Sequence, residues 1–470
     1  MAMAVNPAIF RAYDIRGLVD IDLTDTALRT IGQAAGTLFR EWGAHTLAVG
    51  RDARLSSPRF QAALIDGLRS TGINVVDIGE VPTPVMYFAV EYLHVDGGIV
   101  ISASHNPPQY NGVKLRRSNA VYGSEPLTSD DIQALERIAN GGQFLQGTGT
   151  LTSTSVNDAY IQESARLLSL PSGARPRVVI DGGNGVAGPL GVRLLEAIGA
   201  EVIPLYIEPD GTFPNHHPDP LKPENLQDLM RLVREHGADM GIGLDGDGDR
   251  LGVVADDGKI IWADRYLIVL ARYLLGQRPG PVVFDVKCSS VLPDAIREFG
   301  GVPVMWKTGY LNLSNKMRET SAVLGGELSG HTIAPFPGHY YDDGAFAGAL
   351  LLSALYHLGE GGKPLSLNAA LAPYPELPSL DEGRIHVPDA YKFKLVDYVR
   401  ERFAGRYPII DIDGIRVDFG DGWGLVRASN TEPAITTRFE AHTAPRAQAI
   451  RAMMLEAVEE FRQHMPADEA

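Results

Sequence analysis

The sequence has little of what marks secreted, membrane-spanning or nucleic-acid-binding proteins. It contains one cysteine, Cys288, so no disulfide can form within the chain. No apolar run is long enough to cross a bilayer, and residues 1–10 have neither the basic start nor the apolar core of a signal peptide. Acidic side chains outnumber basic ones by 58 to 42, which argues against non-specific binding to nucleic acid or an anionic membrane. We therefore expect a cytoplasmic protein that binds neither.

A repeated unit organises most of the chain, which at 470 residues is too long for one hydrophobic core. The unit is a short apolar strand, a polar loop, an amphipathic helix, a glycine-containing turn and a second strand. It spans residues 46–78, 177–207 and 281–306. Beyond each copy, another apolar strand runs into an unusual loop, at 102–107, 245–250 and 326–331. Because similar α/β domains present similar loops from corresponding strand ends, we predict three domains that aim one loop each at a shared cleft.

The last hundred residues differ and predict a smaller α+β domain. We expect strands at 384–387 and 434–441, helices at 391–403 and 445–464, and a hairpin around Asp413-Gly414. Turn and linker composition marks three connecting segments, 141–155, 256–258 and 372–378. The prediction is an α/β protein of four domains around a central cleft, with bounds of 1–150, 151–256, 257–371 and 372–470.

The first loop presents a serine at the end of a buried strand. The run 97–101 predicts this strand, and Asn106-Pro107-Pro108 then stops both strand and helix. Ser104 is thereby placed at the carboxyl end of a strand, where anionic ligands gather in open α/β sheets. Lys114, after a turn at residues 111–112, could reach the same space. We interpret Ser104 as a phosphate carrier; the alternative is a serine-rich turn without chemistry.

The second loop indicates a site for a hard cation. Asp245, Asp247 and Asp249 alternate with glycines, which let the backbone curl until the carboxylates converge. A calcium loop fits less well, because Arg250 stands where that loop needs glycine and Asp256 where it needs glutamate. Magnesium fits better, since it binds a few carboxylates together with phosphate oxygens. The remaining alternative is a solvent-exposed acidic turn.

The third and fourth loops carry side chains suited to sugar hydroxyls and to phosphate. Glu327, Ser329 and His331 can accept or donate hydrogen bonds to hydroxyls, although a helix cap would contain the same residues. Arg427 can make a forked contact to phosphate. Neutral donors follow it in the sequence, namely Ser429, Asn430 and Thr431. A plain turn is the alternative here.

Two other functions compete with a phosphate-transfer enzyme. The segment 183–188 has the glycine spacing of a dinucleotide-binding turn, with Glu208 at the end of the next strand, as in a nicotinamide-dependent oxidoreductase. That hypothesis leaves the serine and aspartate loops without a role. A non-catalytic sugar-phosphate sensor is disfavoured because Ser104, Lys114 and the aspartates occur together.

With all four loops considered, the chain resembles the α-D-phosphohexomutase superfamily, and within it the bacterial phosphomannomutase/phosphoglucomutase group. The resemblance covers essentially the whole chain. It rests on Tyr13-Asp14-Ile15-Arg16-Gly17, on the Ser-His-Asn-Pro, Asp-Gly-Asp-Gly-Asp-Arg and Gly-Glu-x-Ser-Gly-His loops, and on Arg427-Ala-Ser-Asn-Thr. It implies four domains around a cleft and exchange of phosphate between the 1- and 6-positions of mannose or glucose.

The resemblance also implies roles for individual residues. Ser104 would be the phosphoserine and, with the three aspartates, would hold Mg²⁺; glucose 1,6-bisphosphate or mannose 1,6-bisphosphate would serve as activator. Lys114 would accept or donate the proton near Ser104, with Arg16 and His331 as further candidates. A buried lysine beside cations can have its pKa lowered enough for this work. The implied substrate-binding residues are Tyr13, His105, Asn106, Arg250, Lys287, Gly309, Glu327, Ser329, Arg427, Ser429, Asn430 and Thr431.

One position departs from the group's pattern. Tyr310 follows Thr308-Gly309, where the group usually carries a histidine. A tyrosine can form a hydrogen bond but is not a cation near neutral pH, so this change bears on substrate preference more than on the reaction. We expect activity on both mannose and glucose phosphates, and a monomer, because no long apolar face is left unassigned.

Overall fold

The computed structural model describes residues 5–336, 339–429 and 433–465, and within these ranges the chain forms four sheets flanked by helices. Asn430 and Thr431, both expected to bind substrate, lie outside the described residues. The repeated α/β unit and the α+β end domain expected from the sequence are both present.

The first domain is a mixed sheet with the strand order β1-β5-β4-β2-β3-β7, and β6 pairs with β5. Its strands are β1 (Ile15–Leu18), β2 (Thr46–Arg51), β3 (Asn74–Glu80), β4 (Gly97–Ile101), β5 (Tyr110–Asn119), β6 (Gly123–Pro126) and β7 (Leu151–Ser153). Its helices are α1 (Asp25–Glu41), α2 (Ser57–Ser70), α3 (Thr83–Tyr92) and α4 (Ser129–Gly141). Glycines let α1 and α2 pack closely, since a Cβ on Gly32 would lie 2.3 Å from the Leu64 carbonyl oxygen.

The second domain has the strand order β12-β11-β10-β8-β9. Its strands are β8 (Arg177–Asp181), β9 (Glu201–Leu205), β10 (Met240–Leu244), β11 (Leu251–Ala255) and β12 (Ile260–Ile261). Its helices are α5 (Asn157–Leu167), α6 (Gly188–Ala197) and α7 (Gln227–His236). β8, β9 and β10 run parallel, and the two inner strands β8 and β10 are almost entirely buried, as expected for strands covered on both faces, whereas the edge strand β9 is more exposed.

The third domain has the strand order β14-β13-β15-β16. Its strands are β13 (Pro281–Asp285), β14 (Val302–Trp306), β15 (Leu324–Gly326) and β16 (Thr332–Ile333). Its helices are α8 (Ala263–Gln277), α9 (Val291–Glu298), α10 (Tyr310–Thr320), α11 (Gly344–Leu358) and α12 (Leu367–Leu371). One hydrophobic core runs through the second and third domains, with the buried faces of α8 and α11 at its centre.

The fourth domain is an antiparallel sheet with the strand order β17-β21-β20-β19-β18 and two helices among its described residues. Its strands are β17 (Ser379–His386), β18 (Ile409–Ile410), β19 (Ile415–Asp418), β20 (Gly422–Ala428) and β21 (Ala434–Ala441). Its helices are α13 (Asp389–Phe403) and α14 (Ala444–Arg462), which cover a core of its own. The expected hairpin at Asp413-Gly414 joins β18 to β19.

Strand order explains how the first three loops reach one place. β4, β10 and β15 hold the same position, each parallel to the first strand of the repeated unit and antiparallel to the strand that follows. The loops that contain Ser104, the three aspartates and Glu327 follow the carboxyl ends of these three strands. The prediction that corresponding strand ends present the loops is therefore confirmed.

Of the three expected linkers, 141–155 is packed on a domain and 256–258 lies within one. In 141–155, β7 pairs with β3, and the amides of Gly147 and Gly149 donate to the carbonyls of Ser70 and Arg69, so this segment packs on the first domain. Residues 256–258 form the hairpin turn between β11 and β12, inside the second sheet. Turn-forming composition is shared by linkers and by turns within a sheet, so it did not separate them. Residues 372–378 do connect α12 to β17.

Arg54 binds the backbone of the serine loop, residues 102–107, a role that the sequence did not reveal. Its side chain is fully buried, and its Nε pairs with Asp52 Oδ2 at 3.1 Å. Its Nη atoms donate to four carbonyls, those of Ser104 (2.8 Å), Asn106 (2.6 Å), Pro107 (2.8 Å) and Tyr110 (3.1 Å). Burial lowers the pKa of Arg54, and Asp52 opposes that shift. The fixed fork of a guanidinium suits this set of acceptors.

Replacing Arg54 by Met should destabilise the first domain. The change removes the guanidinium donors of four carbonyls and of Asp52 Oδ2 and leaves the Asp52 charge without its cation, which we expect to cost about 3 kcal/mol or more. Differential scanning calorimetry should show a lower unfolding temperature. Arg59→Met is the control, because the ion pairs of Arg59 with Asp20 and Asp25 are solvent-exposed. Equal shifts in the two variants would contradict this role.

A second prediction concerns the buried Asp343 at the start of α11. It accepts from Tyr160 Oη at 2.7 Å and from the Phe346 amide at 3.0 Å, and its other near neighbour, His339 Nε2, is 3.8 Å away. Burial raises the pKa of Asp343 to about 7, and burial lowers the pKa of His339 to about 3, so His339 is neutral. A carboxyl with a raised folded-state pKa stabilises most below its unfolded pKa, and this stability is lost as pH rises through 7.

Asp343→Asn keeps an acceptor for Phe346 but carries no charge. Its unfolding temperature relative to wild type should therefore rise by about 2 °C or more between pH 5 and pH 8. Asp158→Asn, at a largely exposed carboxylate, should show no such trend. A difference between Asp343→Asn and wild type that does not change with pH would contradict the buried, protonated state.

Candidate active site

Ser104 occupies a strained turn directly after β4. Its φ is +51°, a left-handed conformation that is uncommon for a residue with a side chain and is typical of functional turns. Ser104 is buried, its amide donates to Ser102 Oγ at 3.0 Å, and its Oγ lies 3.1 Å from His105 Nδ1. The Oγ donates to Asp245 Oδ2 at 2.6 Å. The serine loop of the first domain therefore touches the aspartate loop of the second.

The three aspartates converge as the sequence predicted. Asp245, Asp247 and Asp249 are buried, and each offers a carboxylate oxygen within 4.8 Å of the others. The amides of Gly248 and Arg250 donate to Asp245 Oδ1, which shows how the glycine-rich turn folds the loop around its first carboxylate. Burial raises the pKa of Asp245, and the charges of Asp249 and Asp247 add to the effect.

Two carboxylate oxygens of this cluster are available to bind a cation. Asp247 Oδ1 and Asp249 Oδ1 are buried and accept no hydrogen bond from the described residues. A buried carboxylate oxygen without a donor is costly unless a cation neutralises it. The three carboxylates, with the Ser104 hydroxyl beside them, match the hard oxygen ligands that Mg²⁺ prefers.

Glycines at 183–188 form a support for the aspartate loop. A Cβ on Gly185 would lie 2.8 Å from the Gly246 carbonyl oxygen, and the Val186 amide donates to that same carbonyl at 3.2 Å. The turn therefore packs against the backbone of the aspartate loop. Its glycines are explained by this close approach, so the dinucleotide-binding interpretation of the segment is no longer needed.

Lys114 reaches the cluster from β5, as expected. Its Nζ lies 2.6 Å from both Asp247 Oδ2 and Asp249 Oδ2, and the side chain is buried. Burial by itself lowers the pKa of Lys114, but the two aspartates outweigh it and raise the pKa well above its ordinary value. The expected lowering of this pKa is therefore wrong for the cluster as it stands. A cation bound by the aspartates would remove much of the attraction that keeps Lys114 protonated.

The third loop joins the aspartate loop through His331. His331 Nδ1 lies 2.8 Å from Glu327 Oε2, and its Nε2 lies 3.3 Å from Asp249 Oδ1 and 3.3 Å from Arg250 Nε. Burial lowers the pKa of His331, but Asp249 and Glu327 raise it overall to about 10. Ser329 Oγ donates to Glu327 at 3.3 Å.

Residues from the start of the chain complete the cluster around Ser104. Arg16 Nε pairs with Asp14 at 2.8 Å, and its Nη1 donates to Asn106 Oδ1 at 2.8 Å. Burial raises the pKa of Tyr13 to about 12, aided by Glu327, so its hydroxyl stays protonated. Arg16, His105 and Asn106 thus lie together beside the serine.

Arg427 and Ser429 lie on the fourth domain, and a charged side chain contacts each of them. Arg427 Nε donates to Asp413 Oδ2 at 2.7 Å, and the Ser429 carbonyl accepts from Lys392 Nζ at 2.7 Å. On the third domain, Lys287 pairs with Glu382 of the fourth domain at 3.2 Å. The predicted phosphate-binding residues are therefore held by charged partners that the sequence did not identify.

Several supporting residues carried no recognisable signal in the sequence. Thr83 Oγ1 and Ser102 Oγ donate to Asp247 Oδ2 at 2.6 and 3.1 Å. Asp342 is buried 3.9 Å from His331, and burial raises its pKa to about 6. The sequence predicts Asp413 only as part of a turn and Lys392 only as part of a helix. Each belongs to common local patterns, so no motif set it apart.

Tyr310 starts α10 between the first and third domains. Its ring packs edge-on against Tyr13, with centroids 5.3 Å apart, and against His331 at 6.2 Å. Its hydroxyl donates to the Tyr13 carbonyl at 3.4 Å, a long bond. Burial raises the pKa of Tyr310, so it is neutral in the site.

Among the described residues, no helix is both long and apolar enough to cross a membrane.

Comparison with known proteins gives the same arrangement of domains along the whole chain. Phosphoglucomutase/phosphomannomutase family models match alpha/beta/alpha domain I at residues 7–146, domain II at 158–258, domain III at 262–373 and the C-terminal domain at 382–457. A phosphomannomutase/phosphoglucomutase of Pseudomonas aeruginosa is 42% identical over 453 residues, which is 96% of this chain and 95% of the relative. A phosphoglucomutase of Neisseria gonorrhoeae is 40% identical over 447 residues, 94% of each chain.

A solved structure agrees with these matches. The crystal structure of a phosphoglucomutase/phosphomannomutase family protein from Burkholderia thailandensis superposes with a TM-score of 0.88 at 40% identity, covering 97% of this chain and 98% of that one. The four loops, their convergence and these matches lead to one conclusion: the chain belongs to the phosphoglucomutase/phosphomannomutase family.

Proposed function

We propose that the protein interconverts hexose 1-phosphates and hexose 6-phosphates of mannose, glucose or both, through a phosphorylated Ser104. The observation that carries this proposal is the hydrogen bond from Ser104 Oγ to Asp245 Oδ2 at 2.6 Å, which places a strained, buried hydroxyl within the aspartate cluster. An acceptor for phosphate and a group of cation ligands thus occupy one point of the cleft.

The transfer starts from a phosphate on Ser104. A free hydroxyl of the hexose phosphate attacks phosphorus, the new P–O bond forms, and the bond between phosphorus and Ser104 Oγ breaks. The hydroxyl proton passes to a nearby base, for which Lys114 is the first candidate and His331 and Arg16 are the others, and from that base to the departing Ser104 oxygen, which becomes a hydroxyl. The product is a hexose 1,6-bisphosphate. After it turns in the cleft, its other phosphate returns to Ser104 and the proton is given back.

Mg²⁺ held by Asp245, Asp247 and Asp249 would supply positive charge to the transferred phosphate. Arg250 adjoins these ligands and would steady the same phosphate. Phosphoryl transfer depends mainly on such positioning and charge neutralisation. The enzyme needs a phosphate on Ser104 to begin, so we propose glucose 1,6-bisphosphate or mannose 1,6-bisphosphate as activator.

Turning the bisphosphate requires that either end of the sugar fits the same sites. Glu327 and Ser329 would hold ring hydroxyls, and Arg427 with its loop would hold whichever phosphate is distant from Ser104. The fourth domain would swing on residues 372–378 and open the cleft. Arg265 of the third domain holds the start of that segment by donating to the carbonyls of Tyr374 and Pro375 at 2.5 and 3.0 Å.

Phosphorus NMR with Mg²⁺, a trace of glucose 1,6-bisphosphate and, in turn, mannose, glucose and glucosamine 1-phosphates tests the function directly. We expect 6-phosphates from the first two sugars. Ser104→Ala should lower kcat by roughly a thousandfold or more because it removes the group that carries phosphate. Removal of Mg²⁺ with EDTA should stop turnover, and added Mg²⁺ should restore it.

Ser155→Ala, at an exposed serine remote from the cluster, is the matched control and should keep full activity. Equal unfolding temperatures of both variants and wild type would show that the loss is chemical. A wild-type protein that converts none of the three sugar phosphates would overturn the mutase assignment and favour the sugar-phosphate sensor.

Tyr310→His tests the unusual residue in the sugar site. A histidine that gains a proton below about pH 6.5 adds positive charge near the substrate phosphate, so KM should fall about threefold at pH 6 and little at pH 8. Tyr310→Phe removes only a hydroxyl whose bond is long, so it should keep a wild-type KM at both pH values. A large loss in Tyr310→Phe would show instead that the hydroxyl itself binds substrate.

A further inference from the structure

The loop Thr308-Gly309 is a point at which three domains meet. Gly309 has a φ of +115°, which favours glycine, and a Cβ there would lie 3.0 Å from the hydroxyl of Tyr13 on the first domain. The Gly309 amide donates to Glu327 of the sugar loop. The Thr308 amide donates to Asp413 of the fourth domain at 2.9 Å. A movement of the fourth domain would therefore shift or break a direct contact with this loop.

Asp413 also holds the predicted phosphate ligand of its own domain. The oxygen that accepts from the Thr308 amide, Oδ2, accepts from Arg427 Nε at 2.7 Å. Both side chains are nearly buried, 12% exposed for Asp413 and 9% for Arg427. The neighbouring Gly414 has a φ of +75°, and a Cβ there would lie 2.7 Å from Arg427 Cα, so the turn packs on the arginine backbone.

We infer that Asp413 is a positioning residue for substrate phosphate, an inference that rests on the proposed function. One carboxylate oxygen fixes the Nε side of Arg427 and at the same time ties the fourth domain to the Thr308-Gly309 loop. Within residues 5–336, 339–429 and 433–465, Nη1 and Nη2 of Arg427 make no hydrogen bond in the structure. That edge of the guanidinium is the one that grips a phosphate with two parallel bonds.

This role has an electrostatic signature. Coulomb's law alone says that removing a carboxylate beside an anion site strengthens anion binding. If Asp413 instead orients Arg427, then removing the charge of Asp413 weakens phosphate binding, because Arg427 loses the partner that fixes the orientation of its guanidinium group. The sign of the effect separates positioning from simple electrostatics.

Calorimetric titration with inorganic phosphate measures that sign without requiring turnover. We expect the Kd of Asp413→Asn to be about tenfold higher than that of wild type, the loss of one charge-assisted hydrogen bond. Asp411→Asn, at an exposed carboxylate two residues away, is the matched control and should leave Kd unchanged. In an Arg427→Met background, Asp413→Asn should have no further effect, since its action passes through Arg427.

Hydrogen–deuterium exchange tests the second contact. Asp413→Ala removes the acceptor of the Thr308 amide, so peptides covering residues 306–311 should exchange faster than in Asp411→Asn. In steady-state kinetics, Asp413→Asn should raise KM for glucose 1-phosphate by about the same tenfold factor with a smaller change in kcat.

The outcomes separate this role from the mutase reaction. Unchanged or tighter phosphate binding in Asp413→Asn, or a Kd that Arg427→Met does not alter, would overturn the positioning role even in a fully active mutase. Weaker binding that depends on Arg427, in a protein that converts no sugar phosphate, would support the positioning role and overturn the mutase function.

Discussion

Three carboxylates buried within 4.8 Å of one another are the constraint on which the rest of the structure depends. Mutual repulsion and lost hydration make such a cluster unfavourable unless positive charge and donors surround it. The surrounding side chains meet this need. Lys114 pairs with Asp247 and Asp249, and His331 also approaches Asp249. Ser104 donates to Asp245, and Thr83 donates to Asp247. The same arrangement leaves two oxygens for a cation and a serine hydroxyl beside it.

Repetition of one fold brings these groups together from separate domains. β4, β10 and β15 hold corresponding positions in their sheets, so the loops after them meet although they are far apart in the sequence. The contacts between loops are polar and direct: Ser104 with Asp245, and His331 with Asp249. The fourth domain meets the others through side chains, among them Asp413 with the Thr308 amide and Glu382 with Lys287. Such contacts can break and re-form as a domain moves, which suits a bisphosphate that must turn around.

The sequence predicted the features that depend on local pattern. The alternating Asp-Gly loop, the Asn-Pro-Pro stop after β4 and the repeated strand and helix units each have a periodicity or turn residue that can be read directly. The sequence did not show Arg54 beneath the serine loop, because the two are distant in the sequence, or Asp413 between Arg427 and the Thr308 amide, because this contact joins two domains. The turn at 256–258 has the composition of a linker, since glycines and aspartates occur equally in linkers and in turns within a sheet, and the composition of 141–155 does not show that this segment pairs with β3. The raised pKa of Lys114 was missed for the same reason as Arg54, because it depends on two carboxylates from another domain.

The central claim is that the aspartate loop holds a divalent cation against Ser104. Crystals grown with Mn²⁺ in place of Mg²⁺ and measured at the manganese absorption edge would test it most directly. The account predicts one anomalous peak bound by Asp245, Asp247 and Asp249 next to the Ser104 hydroxyl. A peak held instead by Asp249, His331 and Asp342, or no peak in the cluster at saturating Mn²⁺, would contradict it.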